Sequence, residues 1–84
     1  GRKQRLRLWQ FMLPEGADYD ESFDMKELAK HELTGGQINL IIKNTAYKVA
    51  VREESVFGNK DFLEEIEKEL GSSFEGSKSM GFKV

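Results

Sequence analysis

The 84-residue sequence contains no cysteine, one proline and one histidine. The absence of cysteine excludes disulfide bonds and thiolate metal sites, and it suits a reducing compartment. A single histidine excludes metal centres that are built from several imidazole groups. The sequence therefore offers neither covalent cross-links nor a zinc-type site.

The sequence also lacks long apolar runs and an excess of one charge. No apolar run approaches the ~18 residues that a transmembrane helix requires, and the N-terminal residues lack the apolar core of a signal peptide. The 13 basic and 15 acidic side chains nearly cancel, so no global field attracts nucleic acid or a membrane. We expect one small, soluble, cytoplasmic domain with no nucleic-acid or membrane partner.

The spacing of apolar residues predicts two helices in the first third of the chain. The first covers residues 3–13 and stops before Pro14, since the residue that precedes a proline disfavours helical geometry. The second begins after Asp24 and ends by residue 32. Glu27 follows Asp24 by three residues, which predicts a capping box at the start of this second helix.

The third predicted helix, residues 35–53, has the strongest pattern, with Thr34 as its N-cap. An apolar stripe at a period of 3.6 residues identifies the face toward the core: Ile38, Ile41, Ile42, Thr45 and Val49. A second stripe of Leu40, Tyr47 and Val51 falls on the opposite side. Since a helix with two apolar faces is typical of the centre of a bundle, we expect at least part of this second stripe to be covered by the first or fourth helix.

The fourth predicted helix covers residues 60–70, with Asn59 as its N-cap. From residue 71 onward the sequence is rich in glycine and serine, which predicts a flexible polar tail. The predicted fold class is all-α: a small four-helix bundle of residues 1–70, followed by a tail of residues 71–84.

Sequence motifs for catalysis are missing. There is no G-x-x-x-x-G-K-[ST] and no G-x-G-x-x-G, so the chain cannot cradle a triphosphate by itself. His31 has no cysteine to activate and no recognisable serine partner, which indicates an ordinary surface histidine. The acidic stretch of residues 15–24 does not fit the spacing of a calcium loop. Basic residues near Arg5 are interpreted as the solvated side of a helix or the end of a linker, rather than a phosphate site.

The two glycines at the start of the third helix are unusual, since glycine in a helix costs about 1 kcal/mol relative to alanine. One explanation is close packing of Gly35 and Gly36 against the second helix. The other is that bare backbone at a helix N-terminus allows a flat or anionic ligand to approach the N–H groups. Physical reasoning alone leaves both explanations open.

Several short motifs follow one another in a distinctive order: Arg5-Leu6-Arg7-Leu8-Trp9, Leu13-Pro14, Asp24-Met25 with Leu28-Ala29, Leu33-Thr34-Gly35-Gly36-Gln37-Ile38, and Asp61-Phe62. This order resembles the small C-terminal helical domain, or lid, of AAA ATPases. The resemblance covers about residues 3–70. It applies to AAA proteins whose lid starts with R-x-R-x-W and has an L-[ST]-G-G-x-I turn before its long helix.

The resemblance implies a nucleotide-facing role for three residues. Gly35 and Gly36 match the family's sensor 2 turn, which packs against adenine and ribose, and Met12 falls near a position that faces the base. Many relatives carry an arginine at the start of this helix, whereas Gln37 and Asn39 stand here, so phosphate sensing by this turn is not expected.

By this resemblance, the chain is a C-terminal fragment of an ATP-hydrolysing ring protein. ATP and magnesium would be held by a large P-loop domain outside this sequence, and the partners would be that domain and neighbouring subunits. The fragment alone would neither hydrolyse ATP nor bind it tightly. The alternative is a stand-alone helical protein–protein interaction module. DNA binding through the third helix is poorly supported, because Lys43, Lys48 and Arg52 share no face.

Overall fold

A computed structural model describes the backbone of residues 1–82 and the side chains of residues 1–71. In this described part the chain forms mostly helices and one small strand pair: α1 Arg2–Met12, β1 Asp18–Tyr19, α2 Met25–Leu28, α3 Gly35–Ala50, β2 Val56–Phe57 and α4 Asn59–Phe82. The mostly helical content agrees with the predicted all-α class. Among residues 1–82, no helix is both long enough and apolar enough to cross a membrane.

The core lies where α1 and α4 pack against α3, and α2 packs against α1 and α4. Trp9 from α1 and Phe62 from α4 are both fully buried, and their rings form an edge-to-face pair at 5.8 Å between centroids. The indole Nε1 of Trp9 has no hydrogen-bond partner among the described residues. Other core side chains surround this pair: Leu13, Leu28, Ala29, Leu33, Ile38, Ile41, Ile42, Val49, Phe57 and Ile66.

Two segments that lie between the predicted helices form a parallel strand pair. Asp18 pairs with Val56, and Tyr19 pairs with Phe57. The ring of Phe57 stacks on Tyr19 on one side and on Phe62 on the other, at 5.4 Å between centroids in each case. Each strand has only two residues, too few to show a period of two, so sequence periodicity could not reveal the pair.

The second helix is shorter than predicted. It ends at Leu28, and the N–H groups of Lys30 and His31 donate to carbonyls three residues earlier, which is the tighter spacing of a 3₁₀ turn. The Asp24 carboxylate caps the helix by accepting from the N–H of Lys26. The predicted capping box is wrong, because Glu27 Oε1 accepts instead from Asn59 Nδ2 at 2.9 Å.

The fourth helix begins at Asn59 and does not stop at Gly71 but continues to Phe82. Asn59 is therefore the first helical residue rather than the N-cap, and its side chain joins α4 to α2. Its Oδ1 accepts from the N–H of Asp24 at 2.7 Å, and its Nδ2 also donates to the carbonyl of Asp24. The flexible tail predicted for residues 71–84 stays a prediction, because the side chains after Gly71 lie outside the described residues.

Helix α3 lies at the edge of the fold and not at its centre. The predicted inner stripe is confirmed, since all five of its side chains are buried. The second stripe is covered only in part: Leu40 is 42% exposed, whereas Tyr47 and Val51 are 65% and 85% exposed. Helices α1 and α4 both pack against α3, and the side chains of α3 that are buried belong to the inner stripe. The prediction was that at least part of this stripe would be covered; more than half of Leu40 is covered, whereas Tyr47 and Val51 are largely exposed.

Candidate functional site

The start of α3 is organised by a local capping box. Thr34 Oγ1 accepts from the N–H of Gln37 at 3.1 Å, and the N–H of Thr34 donates to Gln37 Oε1 at 2.9 Å. Sequence reasoning placed the N-cap at Thr34, and the structure confirms it. The capping box satisfies the N–H groups of Thr34 and Gln37, whereas no described hydrogen bond uses the N–H groups of Gly35 and Gly36.

Gly36 is exposed, and close packing does not explain it. A Cβ atom built on Gly36 would meet only Thr34 Oγ1, at 3.9 Å, among the described atoms within 4 Å. No atom of α2 comes that near, so the explanation based on packing against the second helix fails for this residue. The backbone of Gly36 is open to any flat group that approaches from outside.

Gly35 lies beside the end of α1. A Cβ atom at Gly35 would stand 3.8 Å from Met12 Cε and 3.9 Å from Leu8 Cδ1, which is ordinary van der Waals contact. The tertiary structure thus brings Met12 to Gly35, whereas a Cβ atom on Gly36 would meet no atom of Met12 within 4 Å. Met12 is half-buried and packs against the core cluster.

Both polar atoms of the Gln37 side chain form hydrogen bonds within the chain. Besides its role in the capping box, its Nε2 donates to Glu69 Oε2 at 3.3 Å and so connects α3 to α4. Asn39 is exposed. Since neither residue carries a charge, this turn offers no cation to a phosphate group.

The outer stripe of α3 begins at this same turn. At 100° per residue, Gly36, Leu40, Tyr47 and Val51 fall within an arc of about 60°. Three exposed apolar side chains in line on one helix face are typical of a surface that a partner covers. We call Gly36, Leu40, Tyr47 and Val51 the outer stripe.

A separate cluster of charges joins the end of α3 to the start of α4. Lys48 Nζ lies 3.0 Å from Glu64 Oε1 and 3.1 Å from Glu65 Oε2. Arg52 forms a bidentate pair with Asp61, whose Oδ2 also accepts from the N–H of Gly58 at 2.9 Å. We call these residues the α3–α4 ion cluster. Sequence reasoning missed it, because it depends on how two helices meet.

The pKa values of this cluster reflect its ion pairs. The hydrogen bond from Arg52 lowers the pKa of Asp61, although burial opposes the change. Burial acts to raise the pKa of Glu65, but hydrogen bonds from Lys48 and Lys68 outweigh it and the pKa is lowered. These carboxylates stay charged and paired, which suits a structural junction rather than proton transfer.

The other titratable residues of the described part are relevant to two features, metal binding and the position of His31 relative to the start of α3. Among the described residues no group of three or more carboxylate or histidine side chains could hold a metal ion. His31 is half-buried after the end of α2 and lines a groove against α4, away from the start of α3. No protein-family model matches this chain, and neither does any curated protein or solved structure.

Proposed function

We infer that this chain is the C-terminal lid domain of an AAA ATPase. In this proposal it covers a nucleotide that a large P-loop domain holds together with magnesium, and it relays the nucleotide state to subunit motion in a ring. The large domain and the neighbouring subunits are its partners. The observation that carries the proposal is the turn at Gly35 and Gly36: Gly35 adjoins Met12, Gly36 is open, and an exposed apolar face begins there.

The geometry of α3 supports this proposal in two ways. Among the described residues, no hydrogen bond uses the N–H groups of Gly35 and Gly36 and no side chain blocks Gly36, so a planar base can lie against the backbone. The outer stripe then provides apolar contact for the domain that carries the nucleotide. That domain would bury Leu40, Tyr47 and Val51, which would explain why these apolar side chains are exposed in this chain.

The first experiment is to read the coding sequence upstream of Gly1. A P-loop and an acidic magnesium motif within about 200 residues, roughly one domain, would support the lid assignment. A start codon directly before this segment, or an unrelated domain, would contradict it. The exposed outer stripe would then favour the alternative, a helical protein–protein interaction module.

The second experiment tests the site in the intact ATPase. Gly36→Val places a branched side chain where the base would lie, and we expect nucleotide affinity to fall by at least about tenfold, or ~1.4 kcal/mol. Gly71→Val is the matched control, because Gly71 is also a helical glycine and a Cβ atom added there would meet no described atom within 4 Å. Equal nucleotide dissociation constants for both variants would remove Gly36 from the site.

A further inference from the structure

The near-neutral total charge conceals a strong segregation. Helix α1 carries four basic and no acidic residues, whereas residues 59–71 carry five acidic and two basic ones. Three of those five, Asp61, Glu64 and Glu65, pair with Lys48 or Arg52 in the α3–α4 ion cluster. The two helices meet in the core through Trp9 and Phe62, so their outer faces cannot contact each other within one molecule. Opposite charges on two surfaces of one chain are suited to contact between copies.

The basic surface is a line along the outside of α1. Lys3, Arg7 and Phe11 are spaced four residues apart, share one face, and are all exposed. Phe11 is 86% exposed, the largest value among the exposed large apolar side chains of the described residues. Arg5 is not part of this line, since its Nε donates to the carbonyl of Ala29 at 2.9 Å. We call Lys3, Arg7 and Phe11 the α1 outer face.

The acidic surface is a groove of about 850 Å³ between α2 and the first half of α4. Its apolar lining consists of Leu63, Ile66 and Leu70, and Leu70 is 40% exposed. Its volume is within the range of sites that enclose a ligand group. Three carboxylates line the same groove: Glu27, Glu64 and Glu67. Lys60 and His31 also line it. Glu27 accepts from Asn59 and Glu64 pairs with Lys48, so Glu67 is the lining carboxylate that a cation from outside can reach without displacing a described partner.

We propose that the α1 outer face of one copy docks into the α2–α4 groove of a second copy. Phe11 enters the apolar lining beside Leu63 and Leu70, and Arg7 reaches the carboxylate of Glu67. An aromatic ring that is buried against apolar side chains, next to a cation on a carboxylate, is the usual composition of an interface anchor. The second copy is the occupant that this sequence itself supplies with the complementary charge.

The contact is head-to-tail, because it joins two different surfaces. Such contacts close into rings or extend into filaments, depending on the rotation between copies. A few side chains on each surface make an interface at the small end of the known range, below about 1,200 Å² in total, so the association is weak and concentration-dependent. The proposal does not rest on the ATPase assignment, since it needs neither nucleotide nor a further domain.

The first test is sedimentation of the 84-residue chain at concentrations up to about 1 mM. We expect the average mass to rise above that of a monomer with concentration, and to fall again when added salt shortens the Debye length well below ~10 Å. A chain that stays monomeric at every concentration would overturn the proposal. This holds even if the groove binds a different partner.

The second test uses variants that each lack one surface. Arg7→Glu with Phe11→Ser removes the α1 outer face, and Glu67→Lys with Leu70→Ser removes the groove. Each variant alone should be monomeric, whereas their mixture should form a one-to-one dimer and nothing larger, because one intact surface remains on each chain. Lys43→Glu, an exposed charge change on α3, is the control and should associate like the unmodified chain.

The outcomes of the mixing experiment are decisive. A mixture that stays monomeric would overturn the head-to-tail contact, as would loss of association in Lys43→Glu. If Leu70→Ser disturbs folding, Glu67→Lys alone serves in its place, because Glu67 is exposed. That single change should weaken association by about tenfold or more, and Arg7→Glu in the partner chain should restore it.

Discussion

The two faces of α3 have similar apolar patterns but differ in how far their side chains are buried. The inner face, with Ile38, Ile41 and Val49, is buried by α1 and α4. In the outer stripe, Leu40 is covered in part, whereas Tyr47 and Val51 are largely exposed. The difference teaches that periodicity identifies apolar faces but does not say which of them the rest of the chain can reach.

Side chains on the inner face of α3 should contribute far more to the free energy of unfolding than those on the outer stripe. Ile41→Ala removes a fully buried side chain and leaves a cavity, so we expect unfolding free energy to fall by about 2–5 kcal/mol. Tyr47→Ala on the outer stripe should change it by less than about 0.5 kcal/mol. Chemical denaturation of both variants checks the contrast, and equal losses would mean that the outer stripe is also packed.

The α3–α4 ion cluster should make the chain sensitive to acid. The pKa values of Asp61 and Glu65 are lower than their ordinary values of 3.8 and 4.5, so folding favours the ionised forms. Their contribution is therefore fully present above those ordinary values, and it is lost as pH falls through the lowered ones.

Thermal unfolding between about pH 7 and pH 2 measures this loss. In the variant Asp61→Asn, the share of the pH-dependent stability that Asp61 contributes should disappear. Tyr47→Phe is the control, and its melting temperature should depend on pH as that of the unmodified chain does. A flat profile for the unmodified chain would show that the cluster does not favour ionised carboxylates.

The N-cap of α3 should have a moderate effect. Thr34→Ala removes the acceptor for the N–H of Gln37 and should lower the unfolding free energy by about 1 kcal/mol. Thr34→Ser keeps the hydroxyl group and should recover most of that loss. Denaturation midpoints of the two variants provide the measurement, and an unstable serine variant would point to the threonine methyl group instead of the cap.

Gly36→Val should have the smallest effect on the isolated chain. Valine is the better helix former by a few tenths of a kcal/mol, and a Cβ atom at Gly36 meets no described atom closer than 3.9 Å. We therefore expect an unchanged or slightly raised thermal midpoint. A loss of ~1–3 kcal/mol, as overpacking would produce, would restore the close-packing explanation for this glycine.

Local interactions explain which features could be predicted from the sequence. The capping box joins Thr34 to Gln37, three residues away, and the inner stripe of α3 repeats every turn. Both depend on neighbours within about one helical turn, which the order of amino acids specifies directly. The start of α3 and its buried residues were predicted correctly for this reason.

Sequence-distant contacts explain the remainder. Asn59 was predicted as the cap of its own helix, but it binds Asp24, 35 residues away. The parallel strands, the ion cluster and the approach of Met12 to Gly35 likewise join segments that are far apart in sequence.

The amino-acid sequence by itself determined the all-α character, the N-cap of α3 and the face of α3 that is buried, because these follow from turn-by-turn spacing. Only the tertiary structure decided that Met12 adjoins Gly35 and that Tyr47 and Val51 of the outer stripe are largely exposed. The physical reason is that periodicity marks both apolar faces of α3, whereas the packing of α1 and α4 against this helix buries only the inner one.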